Sequence, residues 1–386
     1  SFKFKPVLTR VTDISIPSDT KAIEVPADKV LPFFDWKMFY AIWGVKYGSS
    51  SMEAMELVQL RRDAEEEIAL GNFRIMLSAR FFPAYTENDD IVLVNGRNSA
   101  EAGLDSHDGN RSRYEWKRIP MMRQEKGDRR SLCDYIIAKE SGRTSPLGCF
   151  AISVHAADAH EEGCCCPACS NKYEDLIGKA VRMTLAEAAS TWLDKKILQQ
   201  MQQDVTATDG CSRNSDETVA SKVPMKVIKP AAGYSSCPDH SLKRDILELL
   251  GETTCRHHSH GGDCTAAESN EMQEHHSHGP HCTCGCHHDE HTHDHSHTEG
   301  HGHNHTERHD HNHTEGHGQE TGALKIRLTE TCAMTPEASI CGTIFIHPEA
   351  RYPEIRSISQ EQHDSYIARR GMNEDTARRF LSHLLK

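Results

Sequence analysis

The sequence predicts an α+β fold built on a mainly antiparallel sheet, and three observations carry that prediction. Phe73, Ile75, Leu77, Ala79 and Phe81 fall on alternate positions, the period-two pattern of a half-buried strand. Ser51–Leu70 and Tyr173 to about Gln202 keep a helical period instead. Strands and helices then follow one another without a regular βαβ rhythm, which speaks against a parallel, doubly wound sheet.

Taken in order, Phe2 to Val30 is polar, with few periodic apolar positions, and reads as a leading arm over residues 1–30. Leu31 to Trp43 (LPFFDWKMFYAIW) is aromatic-rich and reads as the start of a buried helix. The Ser51–Leu70 helix places Met52, Met55, Val58 and Ile68 roughly on one face and stops at Gly71. After the strand at 73–81, further strands are expected at Ile91–Val94, Leu147–Val154, Leu324–Leu328 and Ile340–Ile346. The apolar face of the long helix from Tyr173 is expected to run through Leu176, Ala180, Met183 and Trp192. Shorter helices follow at Leu242–Leu250 and Gln360–Arg370. The second opens on the capping-box spacing Ser359-x-x-Gln362 and ends at Gly371.

Composition narrows the function. The 386 residues are 37% hydrophobic and 26% charged, low in apolar side chains for a fully packed chain. Part of the chain is therefore expected to lie outside any core. With a formal charge of −13 and no Lys/Arg-rich run, nucleic acid is not an expected partner. Ser1 to Arg10 lacks the apolar stretch of a signal peptide, and no apolar run reaches the roughly 18 residues of a membrane span. A cytoplasmic protein is the expectation.

Residues 253–321 hold 20 of the 27 histidines, among Gly, Asp, Glu and Thr and almost no aliphatic side chains. Such a segment buries too little surface to offset its own ordering and is expected to be disordered without metal. Cys282, Cys284 and Cys286, followed by His287, His288, His291, His293, His295 and His297, supply thiolate and imidazole donors that suit Zn, Ni or Co. Many of the 15 cysteines sit beside histidines, which favours free thiols or metal ligands over disulfides in a reducing compartment. Cys166-Pro167-Ala168-Cys169 has redox spacing but no βαβ surroundings; with Cys164 and Cys165 a zinc or copper knuckle is an equal reading, and an exposed loop of inert thiols weighs as much as both together.

Five blocks, in order, resemble one family. FFDW (Phe33–Trp36), RFFPA (Arg80–Ala84), KPAAGYSSCPDH (Lys229–His240), LTETCAM (Leu328–Met334) and HPEARY (His347–Tyr352) are similar to the activation domain of cobalamin-dependent methionine synthase. The resemblance covers about Leu31 to Lys386 apart from the insertions. It implies one domain at 31–386, with a twisted antiparallel sheet flanked by helices and the His-rich stretch inserted within it. It also implies an S-adenosylmethionine site on the concave face. The family's Arg-x-x-x-Gly-Tyr element reads Lys229-Pro-Ala-Ala-Gly-Tyr234 here, so the resemblance assigns Lys229, Ala231, Gly233 and Tyr234 to the ligand. Asp35, Glu187 and Tyr352 match further family positions near it. The chemistry suits such a ligand: a basic residue for its carboxylate, an acid for its ammonium, a glycine for close backbone approach and tyrosine faces for its rings. Two positions depart from the family. Lysine for arginine at 229 removes a planar, bidentate fork, and Pro353 stands where the family has a second tyrosine. Taken singly, Asp35 reads as a helix cap, Glu187 as a solvated helix residue and Gly233-Tyr234 as a turn; their joint occurrence in family order favours the ligand.

The function implied is reactivation of cobalamin by reductive methylation, with S-adenosylmethionine as methyl donor and a flavodoxin-like protein as reductant. The chain would thus be part of, or accessory to, a methyltransferase without holding a complete active site. The family's cobalamin ligand lies in an Asp-x-His-x-x-Gly element. The nearest string here, Asp105-Ser106-His107-Asp108-Gly109, has its glycine one place early and reads as coincidence. Cobalamin is therefore expected on a partner module of a methionine synthase, met in trans. The competing expectation is a metal-binding or storage protein that uses the His/Cys-rich insertion on a retained activation-domain fold. An independent methyltransferase is disfavoured, since no glycine-rich dinucleotide turn is present.

Overall fold

The computed structural model describes residues 22–44, 51–94, 115–157, 172–209, 224–252 and 324–385. Its centre is a seven-stranded sheet. The strands are β1 (Ile23–Glu24), β2 (Phe73–Glu87), β3 (Asp90–Val94), β4 (Glu115–Pro120), β5 (Ser145–Ala156), β6 (Lys226–Ile228) and β9 (Ser339–His347). Their order is β4-β3-β2-β5-β9-β6, with β1 also on β2, and every strand pair is antiparallel. A separate two-stranded ribbon joins β7 (Arg327–Leu328) to β8 (Met334–Thr335). The sequence-predicted α+β class with a mainly antiparallel sheet is the fold observed.

β2 organises the sheet. Phe73 through Ala84 pair with β5 along one edge, while the other edge takes β1 at Met76 and Leu77 and β3 at Ala84 through Glu87. The alternating residues Phe73, Ile75, Leu77 and Ala79 all enter the helical layer, as the period-two pattern requires. The strand is not half-buried, however. Met76 enters a second core on the opposite face, together with Leu147, Cys149, Ala151, Cys341 and Phe345 from β5 and β9. A sheet covered on both faces needs apolar residues on both parities, and Met76 was the visible sign of it.

The helical layer comprises α1 (Ala27–Val30), α2 (Trp36–Ile42), α3 (Ser51–Leu70) and α4 (Lys172–Asp209), with a short 3-10 turn at Leu31–Phe33. α5 (Leu242–Leu249) packs on the other face, and α6 (Gln360–Arg370) and α7 (Glu374–Leu381) form a small cluster with Met122 and Cys332. Several sequence expectations shift here. Residues 22–30, expected within the arm, belong to the body: Ile23 pairs with Leu77, and Val30 is fully buried. On α3 the core face runs through Leu60 and Ala64, while Met55 and Val58 are exposed. On α4 it runs through Ile177, Ala180, Val181, Ala188, Leu193 and Ile197, with Met183 and Trp192 packed against it, and of the expected face only Leu176 is exposed. Among residues 324–328 only Arg327 and Leu328 form a strand, while β4, β6 and α7 arise without an expectation. Ser359 caps α6 by accepting from Gln362 N–H at 3.2 Å, but the box is half made. Glu125 accepts from Ser359 N–H, and the Gln362 amide instead bonds both backbone groups of Arg123.

The arm residues 1–21 and the His-rich segment 253–321 lie outside the described residues. The flanks of that segment meet, since Leu324 N–H donates to Glu252 Oε1 at 3.4 Å. No helix among the described residues is long and apolar enough to cross a membrane.

Candidate functional site

Glu187, Ser190 and Asp194 stand three and four residues apart on α4, so they share one helical face. That face meets the end of β6, where the chain leaves the sheet at Lys229. The Lys229 side chain runs inward and is only 5% exposed. Its ammonium pairs with Asp194 Oδ1 at 2.8 Å, donates to the Ser190 carbonyl and lies 5.6 Å from the Phe150 ring centroid. Its backbone N–H donates to Tyr352 Oη at 2.9 Å, which draws the HPEARY block to the same place. Lys229, Glu187 and Tyr352, distant in sequence, are therefore neighbours.

Burial works against charge throughout this cluster. It lowers the Lys229 ammonium and raises the Asp194 and Glu187 carboxyls; the attraction between lysine and acids offsets this only in part. The Tyr352 phenol is raised as well, by burial first and by the two carboxylates after it. Two acids against one ammonium make a site that leans towards a cation.

The turn after Lys229 is fixed from two sides. At its front, Pro230 O accepts from Thr343 N–H at 3.2 Å and Ala231 bridges to Gly342 of β9. A Cβ on Gly342 would sit 2.5 Å from Pro230 O, so this close approach needs glycine. Gly233 then takes φ +97°, and a Cβ there would lie 2.4 Å from His240 Cε1, because the imidazole backs the turn. The loop closes through Gly233 N–H to Cys237 O at 2.7 Å and Cys237 N–H to Tyr234 O at 2.8 Å. Tyr234 is left 67% exposed and Tyr352 54% exposed, two ring faces open to a ligand. Behind, Asp239 is buried and accepts from Ser241 N–H (2.8 Å), Tyr366 Oη (2.8 Å) and Arg370 Nε (3.2 Å), tying the block to α6.

Asp35 caps α2, accepting from Lys37 N–H at 2.9 Å, and is exposed. The 3-10 turn before it packs on α4, where Lys195 Nζ lies 4.4 Å from the Phe33 ring centroid. Asp35 follows that turn, two residues after Phe33.

Comparison with known proteins decides the family. Residues 26–257 and 303–371 match the model of the vitamin B12 dependent methionine synthase activation domain. The chain belongs to this family. Among solved structures, the activation domain described here is similar to a crystal structure of the MetH reactivation domain bound to AdoHcy. The TM-score is 0.58 at 22% identity, over 94% of this chain and 89% of that one. At that identity the likeness establishes the fold. The two matched stretches leave out 258–302, within the His-rich segment.

Sequence reading missed Ser190, Asp194, His240 and Gly342. Asp194 was the most accessible of these, lying seven residues after Glu187 and hence two turns along the same face. Nothing in the sequence marked Gly342. Cys282, Cys284, Cys286, His287, His288, His291, His293, His295 and His297 lie outside the described residues, as does Cys166–Cys169. Among the described residues, no group of three or more His, Cys, Asp or Glu side chains is arranged to hold a metal ion. The five described cysteines are free and buried.

Proposed function

We propose that this activation domain binds S-adenosylmethionine across the Lys229–Tyr234 turn and presents the methyl group, in trans, to a cobalamin carried by a separate methionine synthase module. A flavodoxin-like protein supplies the electron, which puts the work in the cytoplasm. The observation that carries the reading is the turn itself: Gly233 at φ +97° turns Tyr234 outward, on the block that brings Tyr352, Glu187 and Asp194 together.

The residues fit the ligand. Lys229 suits its carboxylate, Glu187 favours its ammonium and sulfonium, and Asp35 adds a carboxylate at the rim. Tyr234 and Tyr352 offer flat faces for adenine and hydroxyls for polar groups. Backbone at Ala231 and Gly233 permits close approach. When bound, S-adenosylmethionine supplies an electrophilic methyl group, so the domain's residues need to hold and orient it, with no acid or base required. A metal-holding role for the His-rich segment rests on its sequence alone and stays secondary.

Calorimetry tests the site. One S-adenosylmethionine is expected per chain, and Tyr234→Ala should weaken it about tenfold, the loss of one ring face and one hydroxyl. Absence of saturation at millimolar ligand, or an unchanged affinity in the variant, would contradict the assignment.

A further inference from the structure

Resting on the ligand reading above, we propose that Asp194 is a resident stand-in for the ligand's carboxylate. It occupies the Lys229 ammonium in the free domain, and ligand binding exchanges one carboxylate for another. Asp194 thereby sets how much S-adenosylmethionine gains from its own carboxylate.

The geometry supports the exchange. An ammonium–carboxylate contact at 2.8 Å is the contact a ligand carboxylate would make, and Asp194 already makes it. Lys229 is 5% exposed and Asp194 is 36% exposed, so the acid is the outer member of the pair. A ligand arriving from the open side meets Asp194 before it reaches the ammonium. Lys229 stays fixed by the Ser190 carbonyl, which belongs to the helix backbone, and by the Phe150 ring beneath. Of the three ammonium donors, the Ser190 carbonyl and Asp194 take two, and the Lys229 side chain is 5% exposed, so the place where an incoming carboxylate could meet it is the one that Asp194 fills. The two carboxylates therefore compete rather than share. The charged and titratable groups around the pair are Glu187 on α4 and the Tyr352 phenol on the opposing loop.

A thermodynamic cycle tests this directly. Binding of S-adenosylmethionine and of its decarboxylated analogue is measured by calorimetry on the wild-type chain and on Asp194→Asn. In the wild type, loss of the ligand carboxylate should cost no more than about threefold in affinity, because Asp194 retakes the ammonium. In Asp194→Asn the same loss should cost about tenfold or more, since a charge-assisted contact is then left unmade. Equal discrimination in both proteins would overturn the proposal, because a merely structural Asp194 changes both ligands alike. Should Asp194→Asn fail to fold, the wild type at several pH values serves instead. Burial raises the Asp194 carboxyl, so acidification releases the ammonium, and discrimination for the carboxylate should grow as pH falls. Glu187 also faces the Lys229 ammonium, so the pH series is repeated on Glu187→Gln, where a ratio that still grows as pH falls is carried by Asp194. A flat ratio with pH would count against the exchange. If neither ligand binds either protein, the ligand reading itself is overturned, and this inference with it.

Discussion

An alanine at 233 would have to hold φ at +97° and place its Cβ 2.4 Å from His240 Cε1. Both demands fall on one residue, in the turn that exposes Tyr234. Gly233→Ala is expected to destabilise the domain by about 1–3 kcal/mol, the usual cost of a side chain held in a left-handed region, and to weaken S-adenosylmethionine binding further. Urea denaturation and calorimetry on the variant check the two parts. His240→Ala added to Gly233→Ala should recover the steric share and leave the backbone share. An unchanged unfolding midpoint in Gly233→Ala would show that the turn relaxes freely. Residues such as Gly233 and Asp35 were legible in the sequence because their local chemistry, a tight turn and an N-cap, is written in neighbouring positions. Lys229 was legible as a basic residue but not as a paired one. Its partner, Asp194, comes from a different element, and such a pairing is set by packing rather than by local sequence.

Element type was read well where a period ran long and local signals agreed. α3 spans Ser51–Leu70 and α6 spans Gln360–Arg370, both as the sequence indicates, each with a glycine just past its end in a left-handed conformation. Which face each helix buries was read less well. Of the apolar stripe expected on α3, Met55 and Val58 are exposed while Ile68 packs on the core, which takes Leu60 and Ala64 from this helix. The helical layer selects small residues where backbones come close, and α4 does the same through Ala180, Ala186, Ala188 and Ala189. Alanine carries little weight in an amphipathic pattern, so a face built on it is easily missed. Strands of two or three residues, such as β1 and β6, have too little length to show a period at all. β6 nonetheless matters most for the site, since it delivers Lys229 to α4.

For the whole molecule, the sheet with its two covering layers forms a frame on which the site is assembled from α4, the β6 turn and the loop at Tyr352. The His-rich segment leaves this frame after Glu252 and rejoins it at Leu324, where the two ends are joined by a hydrogen bond. Replacing residues 256–320 by a short polar linker is therefore expected to shift the thermal midpoint by only about 2–4 °C and to leave S-adenosylmethionine affinity within about twofold. Loss of the cooperative transition would show that the segment forms part of the core. The central claim, that this domain presents a methyl group to cobalamin on another module, is tested most directly by methyl transfer itself. A Co(II) cobalamin module from a methionine synthase is mixed with a reductant and S-adenosylmethionine, with and without the domain, and the visible spectrum is followed. The account predicts faster appearance of methylcobalamin with the wild-type domain and, at S-adenosylmethionine well below saturation, an acceleration about tenfold smaller with Tyr234→Ala. A rate that the wild-type domain leaves unchanged, with a cognate module and a competent reductant, would contradict it.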